Sequence, residues 1–340
     1  MDPTNLFSCM KASAMPLIIA EIGNNHEGDL VLAEKMIEAA HEAGAHAVKF
    51  QTFRTEEFIS ISNRERFART KSFELTFDQV SRLKAKADSL GINFLSTPFD
   101  LESAEFLCTH CTDIKISSGD NTFWPLIDKV CQYNTNIIIS CGLVTYDEIE
   151  VIYKYVLQRK ESHQTAGEIA LLHCVSEYPV SAKNANLSVI PEMVKRFGAI
   201  VGYSDHTIGN QASLIAAALG AQIIEKHFTL DKNYSDFRDH QISSNPNDLA
   251  DLVGRLEKIG QLLGNGSKQR TEGENNAYNL FRRSAVAKTD MLAGALVTLE
   301  KISWVRPSGG VAPGEEASIL GKKLIKAVKA GDQLTSEIVT

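Results

Sequence analysis

The sequence predicts a (β/α)₈ barrel followed by a small β-rich domain. Eight short apolar runs recur between residues 17 and 227, and helical patterns alternate with them. Runs this apolar are typical of strands buried on both faces of a parallel sheet. After residue 283 the pattern changes to short apolar runs separated by glycines, which favours a small domain built from β-strands.

The first βα unit begins with an apolar run at 17–22, followed by the polar loop Gly-Asn-Asn-His-Glu-Gly-Asp. Asp29 can cap a helix whose apolar residues 30, 33, 36, 37 and 40 share one face, and Gly44 ends that helix. A second apolar run at 46–51 completes a β-loop-α-β unit.

Six further strands complete the predicted barrel. They are expected at 92–97, 113–117, 136–140, 168–174, 200–204 and 222–227. Capping-box sequences at 76–79 and 145–148 begin two intervening helices, and others are expected at 100–107, 123–133, 188–197 and 209–219. Asn245 and Pro246 then open a long helix. An open doubly wound sheet is the alternative, but no G-x-G-x-x-G loop follows the first strand.

The predicted domains are a barrel at 1–263, a polar, Gly- and Asn-rich linker at 264–282 and a β-rich domain at 283–340. A core of about 58 residues is marginal by itself. We therefore expect the small domain to lie against another surface, either its own barrel or a partner chain.

Composition excludes several classes of protein. The 340 residues carry a net charge of −7, which is unfavourable for a general nucleic-acid binder. Six cysteines are too few for a disulfide scaffold in a chain of this length. The N-terminus lacks the pattern of a signal peptide, and no apolar run approaches the ~20 residues that span a membrane. We expect a soluble protein of the reducing cytoplasm.

Polar side chains end all eight predicted strands. They are Glu21, Lys49, Gln51, Ser96, Thr97, Lys115, Ser117, Ser118, Ser140, His173, Cys174, Ser204, Asp205, His206, Glu225, Lys226 and His227. The carboxyl ends of the strands meet at one face of a barrel, where this fold class carries its chemistry. The pattern therefore predicts one site at that face.

Two histidines end the seventh and eighth strands, which are neighbours in a barrel. His206 and His227, with Asp205 and Glu225 beside them, can hold a divalent metal with open positions for a substrate. The alternative is that both are core histidines with satisfied hydrogen bonds.

A second set of strand-end residues is cationic and rich in hydroxyl groups. Lys49, Lys115, Ser118, Ser140 and Ser204 suit a small anion that carries phosphate or carboxylate groups. The alternative is a set of lysine–carboxylate pairs that closes the barrel mouth.

Glu21 ends the first strand, below the loop at 23–26. A carboxylate in that position can act as a general base or bind a hydroxyl group. The alternative is a structural ion pair with Lys49.

The chain resembles the N-acetylneuraminate (sialic acid) synthase family from about residue 17 to 338. The opening is similar throughout IIAEIGNNHEGDLVLAEKMIEAAHEAGAHAVKFQTF. Further motifs follow in order: LSTPFD at 95–100, KISSGD at 115–120, LLHCVSEYP at 171–179, GYSDHT at 202–207 and IIEKHFTLDK at 223–232. The tail, with VRPSGG at 305–310, resembles the C-terminal antifreeze-like (SAF) domain of the family.

The resemblance implies a carbon–carbon bond-forming transferase. Such an enzyme condenses phosphoenolpyruvate and water with an open-chain N-acyl hexosamine, and it releases phosphate and a nine-carbon 2-keto sugar acid. The hexosamine would be N-acetylmannosamine or a 2,4-diacetamido relative. The resemblance also implies a homodimer in which the SAF domain of one chain covers the barrel of the other. It further implies a divalent metal on His206 and His227, with Mn²⁺ preferred over Mg²⁺ or Co²⁺.

The family motifs assign further roles residue by residue. Glu21 and Asp239 are implied to be catalytic, and Lys49, Lys115, Ser118, Ser140 and Ser204 to bind phosphoenolpyruvate. The implied sugar-binding residues are Gln51, Thr97, Asp120, Tyr178 and, from the partner chain, Arg306.

Three departures from the family pattern leave the sugar open among sialic, legionaminic and pseudaminic acid precursors. Residues 117–120 read Ser-Ser-Gly-Asp where the family often has Gly-Ser-Gly-Glu. Ser176 stands where some members have Asn, and 232–240 lacks the usual Pro- and Gly-rich run. The Ser-Gly-Asp form is closer to sialic or legionaminic enzymes than to the pseudaminic type.

Two other functions are compatible with the same barrel. A Schiff-base pyruvate aldolase needs a nucleophilic lysine, typically at the end of the sixth strand, where this chain has His173 and Cys174. A non-catalytic carbohydrate-binding relative would not need the complete polar set at the strand ends.

Overall fold

The computed structural model describes residues 6, 7 and 15–340. Cys9 and most of the N-terminal segment, where no signal peptide is predicted, lie outside the described residues. The barrel strands are β1 (Leu17–Gly23), β2 (Ala47–Thr52), β3 (Asn93–Pro98), β4 (Asp113–Ile116), β5 (Asn136–Ser140), β6 (Ile169–Cys174), β7 (Ile200–Asp205) and β8 (Ile223–His227). They are parallel and close in chain order, with β8 paired to β1. The predicted barrel is confirmed, and the open sheet is wrong.

Helices follow the strands within the described residues, and the sequence predicts eight of these twelve. They are α1 (Leu30–Glu42), α2 (Thr55–Phe58), α3 (Arg64–Phe73), α4 (Phe77–Leu90), α5 (Leu101–His110), α6 (Trp124–Cys131), α7 (Tyr146–His163), α8 (Ala182–Ala185), α9 (Val189–Phe197), α10 (Gln211–Ala218), α11 (Arg238–Ile242) and α12 (Pro246–Leu263). Capping boxes begin α4, α7 and α12. Sequence analysis missed the short helices α2, α8 and α11 as well as α3. No residue of α3 is buried, so this helix has no apolar face to detect.

Alternation along each strand separates two layers of side chains. Ile18 and Ile22 of β1 point outward into the core shared with the helices, whereas Leu17 and Ile19 point into the barrel. Leu6 and Phe7 are buried in this inner apolar layer. Apolar residues fill this inner layer, and Glu21, Lys49, Lys115 and Glu225 lie buried towards the carboxyl ends of the strands.

The second compact unit, Asn265–Thr340, has its own small core. Its strands β9 (Ser284–Ala287) and β10 (Ile302–Val305) pair antiparallel. A helix, α13 (Glu272–Phe281), lies within the segment predicted as a linker, and none of its residues is buried. Within the described ranges, no helix is long and apolar enough to cross a membrane.

Candidate active site

A cavity of about 720 Å³ opens at the carboxyl ends of the barrel strands. It brings together twelve of the fourteen residues to which the resemblance assigns a role: Glu21, Lys49, Gln51, Thr97, Lys115, Ser118, Ser140, Tyr178, Ser204, His206, His227 and Asp239. These side chains come from the barrel strands, from the loops that follow them and, for Asp239, from the helix α11. The barrel therefore gathers the predicted catalytic, anion-binding and metal-binding groups at one place.

Two predicted sugar-binding residues are not part of this lining. Asp120 accepts a hydrogen bond from Ser117 Oγ at 2.6 Å, and burial raises the pKa of its carboxyl group. Ser117, Ser118 and Gly119 reach the cavity in its place. Arg306 belongs to the second compact unit and is exposed, so its contact with a partner's sugar stays a prediction.

Two lysines and two glutamates form the floor of the cavity, and each is at most 5% exposed. Lys49 Nζ lies 2.8 Å from Glu21 Oε2 and 3.6 Å from Glu225 Oε1. Lys115 Nζ lies 3.4 Å from the same oxygen of Glu225. The floor is formally neutral when all four groups are charged, and Glu225 links the two ammonium groups.

Burial and charge act differently on the four floor residues. Burial raises the pKa of Glu21, with Lys49 opposing, and lowers the pKa of Lys115, with Glu225 opposing. Burial lowers the pKa of Lys49, but the negative charges of Glu21 and Glu225 outweigh this effect, so the pKa is raised overall. For Glu225, burial is outweighed by the two lysines, and its pKa is lowered. Glu21 and Lys115 are therefore the floor groups at which burial outweighs the neighbouring charges.

Hydroxyl groups complete the floor. Lys115 Nζ donates to Ser140 Oγ at 2.7 Å, and Ser204 Oγ donates to Glu225 Oε1 at 3.0 Å. Lys49 Nζ lies 3.4 Å from Thr97 Oγ1. Ammonium and hydroxyl groups at the closed end of a cavity are suited to the oxygens of a small anion.

The two histidines lie together on the cavity wall, with their ring centroids 5.3 Å apart. His206 Nδ1 lies 2.8 Å from Val175 O, which leaves Nε2 as its remaining ring nitrogen. His227 Nδ1 is buried without a hydrogen-bond partner. Burial, then the charges of His206 and Lys49, hold the pKa of His227 well below its ordinary value, so its ring is neutral.

This pair fits the predicted metal, since a neutral imidazole with an unpartnered buried nitrogen is a suitable ligand. Within residues 6, 7 and 15–340, no group of three or more His, Cys, Asp or Glu side chains is arranged to hold a metal. The two histidines would therefore be protein ligands whose remaining partners come from substrate or water.

Asp205, expected beside the histidines, faces the opposite side of its strand. Its Oδ2 atom accepts a hydrogen bond from Ser213 Oγ at 2.6 Å and lies 3.1 Å from Lys226 Nζ. Because strand side chains alternate, Asp205 and Lys226 face the helices, whereas Ser204 and His227 face the cavity. The expectation for Asp205 was wrong because it ignored this alternation.

Residues that sequence analysis missed form the cavity rim. Arg66 and Arg69 reach it from α3, and Arg238 reaches it from the start of α11. The Arg238 guanidinium lies 4.6 Å from the Tyr178 ring centroid, and its Nε atom lies 3.3 Å from Asp239 Oδ1. Only the basic pattern of residues 64–69 could have indicated part of this rim from the sequence.

The chain matches the NeuB family over residues 36–268 and the SAF domain over residues 282–337. The chain belongs to the NeuB family. The resemblance to sialic acid synthases that the motifs predict is thereby confirmed. The SAF match lies within the second compact unit and includes both of its strands, β9 and β10, but not α13.

Relatives of this NeuB-family chain carry synthase names. The N,N'-diacetyllegionaminic acid synthase of Campylobacter jejuni is 38% identical over 335 residues, which cover 94% of this chain and 99% of that protein. Human N-acetylneuraminate-9-phosphate synthase is 32% identical over 339 residues, covering 95% and 92%. A crystal structure of the N-acetylneuraminic acid synthetase of Leptospira borgpetersenii, in complex with citrate, has a TM-score of 0.72 at 35% identity, covering 78% of this chain and 91% of that one.

Proposed function

We propose that this chain is a nonulosonic acid synthase of the cytoplasm. It condenses phosphoenolpyruvate and water with an open-chain N-acyl hexosamine, N-acetylmannosamine or a 2,4-diacetamido relative, and releases phosphate and a nine-carbon 2-keto sugar acid. The names of its relatives support the class of product. The observation that carries the proposal is the pair of buried lysines with hydroxyl groups beside them at the closed end of the cavity, an arrangement that suits the oxygens of a small anion.

In this proposal phosphoenolpyruvate binds the floor through Lys49, Lys115, Ser118, Ser140 and Ser204. Glu21 and Glu225 already balance the two ammonium groups, so a multiply charged anion needs further positive charge. The rim arginines and a divalent metal are the available sources. Lysine ammonium groups placed at the phosphate would also stabilise the charge that develops as it leaves.

A divalent metal on His206 and His227, with Mn²⁺ expected, would polarise the aldehyde carbonyl of the sugar. The chain's own carboxylates handle protons. Glu21 and Asp239 are the candidates to take a proton from the water that adds to the former enol carbon. Burial raises the pKa of both, which makes them stronger bases than exposed carboxylates.

The small domain has a role in the same proposal. In a domain-swapped homodimer, the SAF domain of each chain covers the cavity of its partner and keeps bulk water out. Arg306 of the partner subunit then contacts the N-acyl group of the sugar. Gln51, Thr97 and Tyr178 contact the sugar from the barrel, and Asp120 acts through Ser117.

The decisive experiment is phosphate release from phosphoenolpyruvate with Mn²⁺ and a panel of N-acyl hexosamines, with the product mass measured in parallel. Chelated protein and His227→Ala serve as controls. Metal-dependent release with one sugar would support the proposal and name the substrate. No release with any sugar, from folded and metal-loaded protein, would contradict it.

One observation favours a different chemistry. Lys115 is buried in the cavity with a lowered pKa, as a Schiff-base lysine would be. Borohydride reduction in the presence of pyruvate distinguishes the two reactions. A covalent three-carbon adduct on Lys115 would overturn the synthase proposal, whereas unmodified Lys115 in active protein would exclude the aldolase.

A further inference from the structure

We infer that the β1–α1 loop positions Asp239 through a two-point clamp made by Glu27 and Asn25. Glu27 is then a positioning residue, because it lies outside the cavity lining and acts through other side chains. The inference depends on the proposed function only for the catalytic role of Asp239.

The first point of the clamp is the Glu27 carboxylate. Its Oε1 atom accepts hydrogen bonds from Ser235 Oγ and, at 3.1 Å, from His240 Nε2. His240 is fully buried, and its Nδ1 atom lies 2.7 Å from Thr229 Oγ1. Both ring nitrogens are therefore held, and the residue that follows Asp239 cannot turn without breaking a buried hydrogen bond.

The second point is the Asn25 amide, which is also fully buried. Its Nδ2 atom donates to Phe228 O at 2.9 Å and to Ser243 Oγ at 3.0 Å. Ser243 Oγ in turn donates to Asp239 O at 2.6 Å. The backbone of Asp239 is thus tied to the β1–α1 loop through its own carbonyl group as well as through the next residue.

The β1–α1 loop, which makes both contacts, is itself held in place by close packing. A Cβ atom on Gly28 would lie 2.2 Å from Ser72 O, so the loop packs closely against the end of α3. Glu27 has a φ of 47°, a left-handed conformation that is unfavourable for residues with a Cβ atom. The side-chain hydrogen bonds of Glu27 maintain this conformation, and they also hold the start of α11 next to the cavity.

The kinetic test compares Glu27→Ala, Glu27→Gln and Glu34→Ala with the wild-type chain. Glu34 is a matched control, since its side chain is 21% exposed against 24% for Glu27 and pairs with Arg82 on α4, away from the cavity. Glu27→Gln keeps an acceptor oxygen of the same reach. We measure kcat and KM for both substrates and the melting temperature of each variant.

For Glu27→Ala we expect kcat to fall by about 10-fold to 100-fold, with KM for phosphoenolpyruvate unchanged. The reason is that Asp239 moves while the lysine floor does not. Glu27→Gln should keep most of the wild-type kcat, and Glu34→Ala should have the same kcat as the wild type. A raised KM for phosphoenolpyruvate, or an unchanged kcat, in Glu27→Ala would overturn the inference.

A second measurement needs no turnover. In hydrogen exchange, amides of 229–242 should exchange faster in Glu27→Ala than in the wild type, and those of the barrel strands should not. Faster exchange in that segment would support the clamp even if the synthase assay failed. Unchanged exchange would reject the clamp, whatever the enzyme's substrate.

Discussion

Lys49 Nζ lies 2.8 Å from Glu21 Oε2, and both side chains are almost completely buried. The register of β1 on β2 places Glu21 directly opposite Lys49. The ion pair is therefore a product of strand pairing, and removing one partner leaves a buried charge without its counter-ion. Such a loss is costly, because the interior does not solvate the remaining ion.

Lys49→Met tests this relationship. We expect the variant to lose about 3–5 kcal/mol of stability near pH 7, as measured by urea denaturation. The unpaired Glu21 then takes up its proton at a higher pH in the folded chain than in the unfolded chain, so the deficit should shrink as pH falls. Lys154→Met removes an exposed lysine that pairs with Glu150, and it should cost at most about 1 kcal/mol. Similar losses in the two variants would contradict the argument.

Lys115→Ala tests the anion site. The ammonium group of Lys115 bonds Ser140 and faces the closed end of the cavity, where it would stabilise the phosphate. We expect kcat/KM for phosphoenolpyruvate to fall by about 10²-fold to 10³-fold. Steady-state kinetics and calorimetric titration with phosphoenolpyruvate measure this, with Lys154→Ala as the control. Unchanged affinity and turnover would place the anion elsewhere.

His227→Ala tests the metal proposal without reference to turnover. The wild-type chain should bind Mn²⁺ in a titration followed by electron paramagnetic resonance, and chelation should remove the ion. The variant should bind at least about 10-fold more weakly, since one of two protein ligands is missing. His110→Ala, at an exposed site on α5, should bind as the wild type does. Equal Mn²⁺ binding by all three chains would exclude the histidine pair.

The alternation of side chains along each strand explains which part of the site the sequence predicts well. The alternation that buries Ile19 inside the barrel also directs Glu21 into the cavity, so strand-end residues could be assigned once the barrel was recognised. Asp205 was misplaced because the alternation of side chains along its strand was not taken into account. Arg66 and Arg238 lie on helices and not on the strands, so this alternation does not place them. Their reach into the rim depends on tertiary packing that the strand pattern does not encode.

His26 provides a pH-dependent prediction that concerns stability. Burial lowers its pKa to about 4, whereas an unfolded histidine has a pKa of about 6.5. Between these values the unfolded chain binds a proton that the folded chain does not. His26 therefore stabilises the fold fully above pH 6.5, and its contribution is lost at about 1.4 kcal/mol per pH unit as pH falls to 4.

The check is urea denaturation of His26→Asn between about pH 4 and pH 7. The side-chain oxygen of the introduced amide can replace Nδ1 as the acceptor for the Gly28 N–H, but the amide does not titrate. As pH falls over this range, the free energy of unfolding should decrease less steeply in the variant than in the wild type. The difference between the two slopes should correspond to one bound proton. His41→Asn, at an exposed position on α1, should keep the wild-type slope. Identical slopes for His26→Asn and the wild type would show that His26 titrates normally.

The swapped SAF domain can be tested by mixing two inactive chains. Lys115→Ala damages the barrel site, and Arg306→Ala damages only the contact proposed for the partner's sugar. If each SAF domain covers the partner's cavity, a mixed dimer holds one intact site, built from the barrel of the Arg306 variant and the SAF domain of the Lys115 variant. Subunit exchange at equal concentrations should then restore about one quarter of the wild-type activity, because half the dimers are mixed. If the SAF domain covered its own barrel, every site in the mixture would carry a damaged residue, and the mixture would show no gain over its two components.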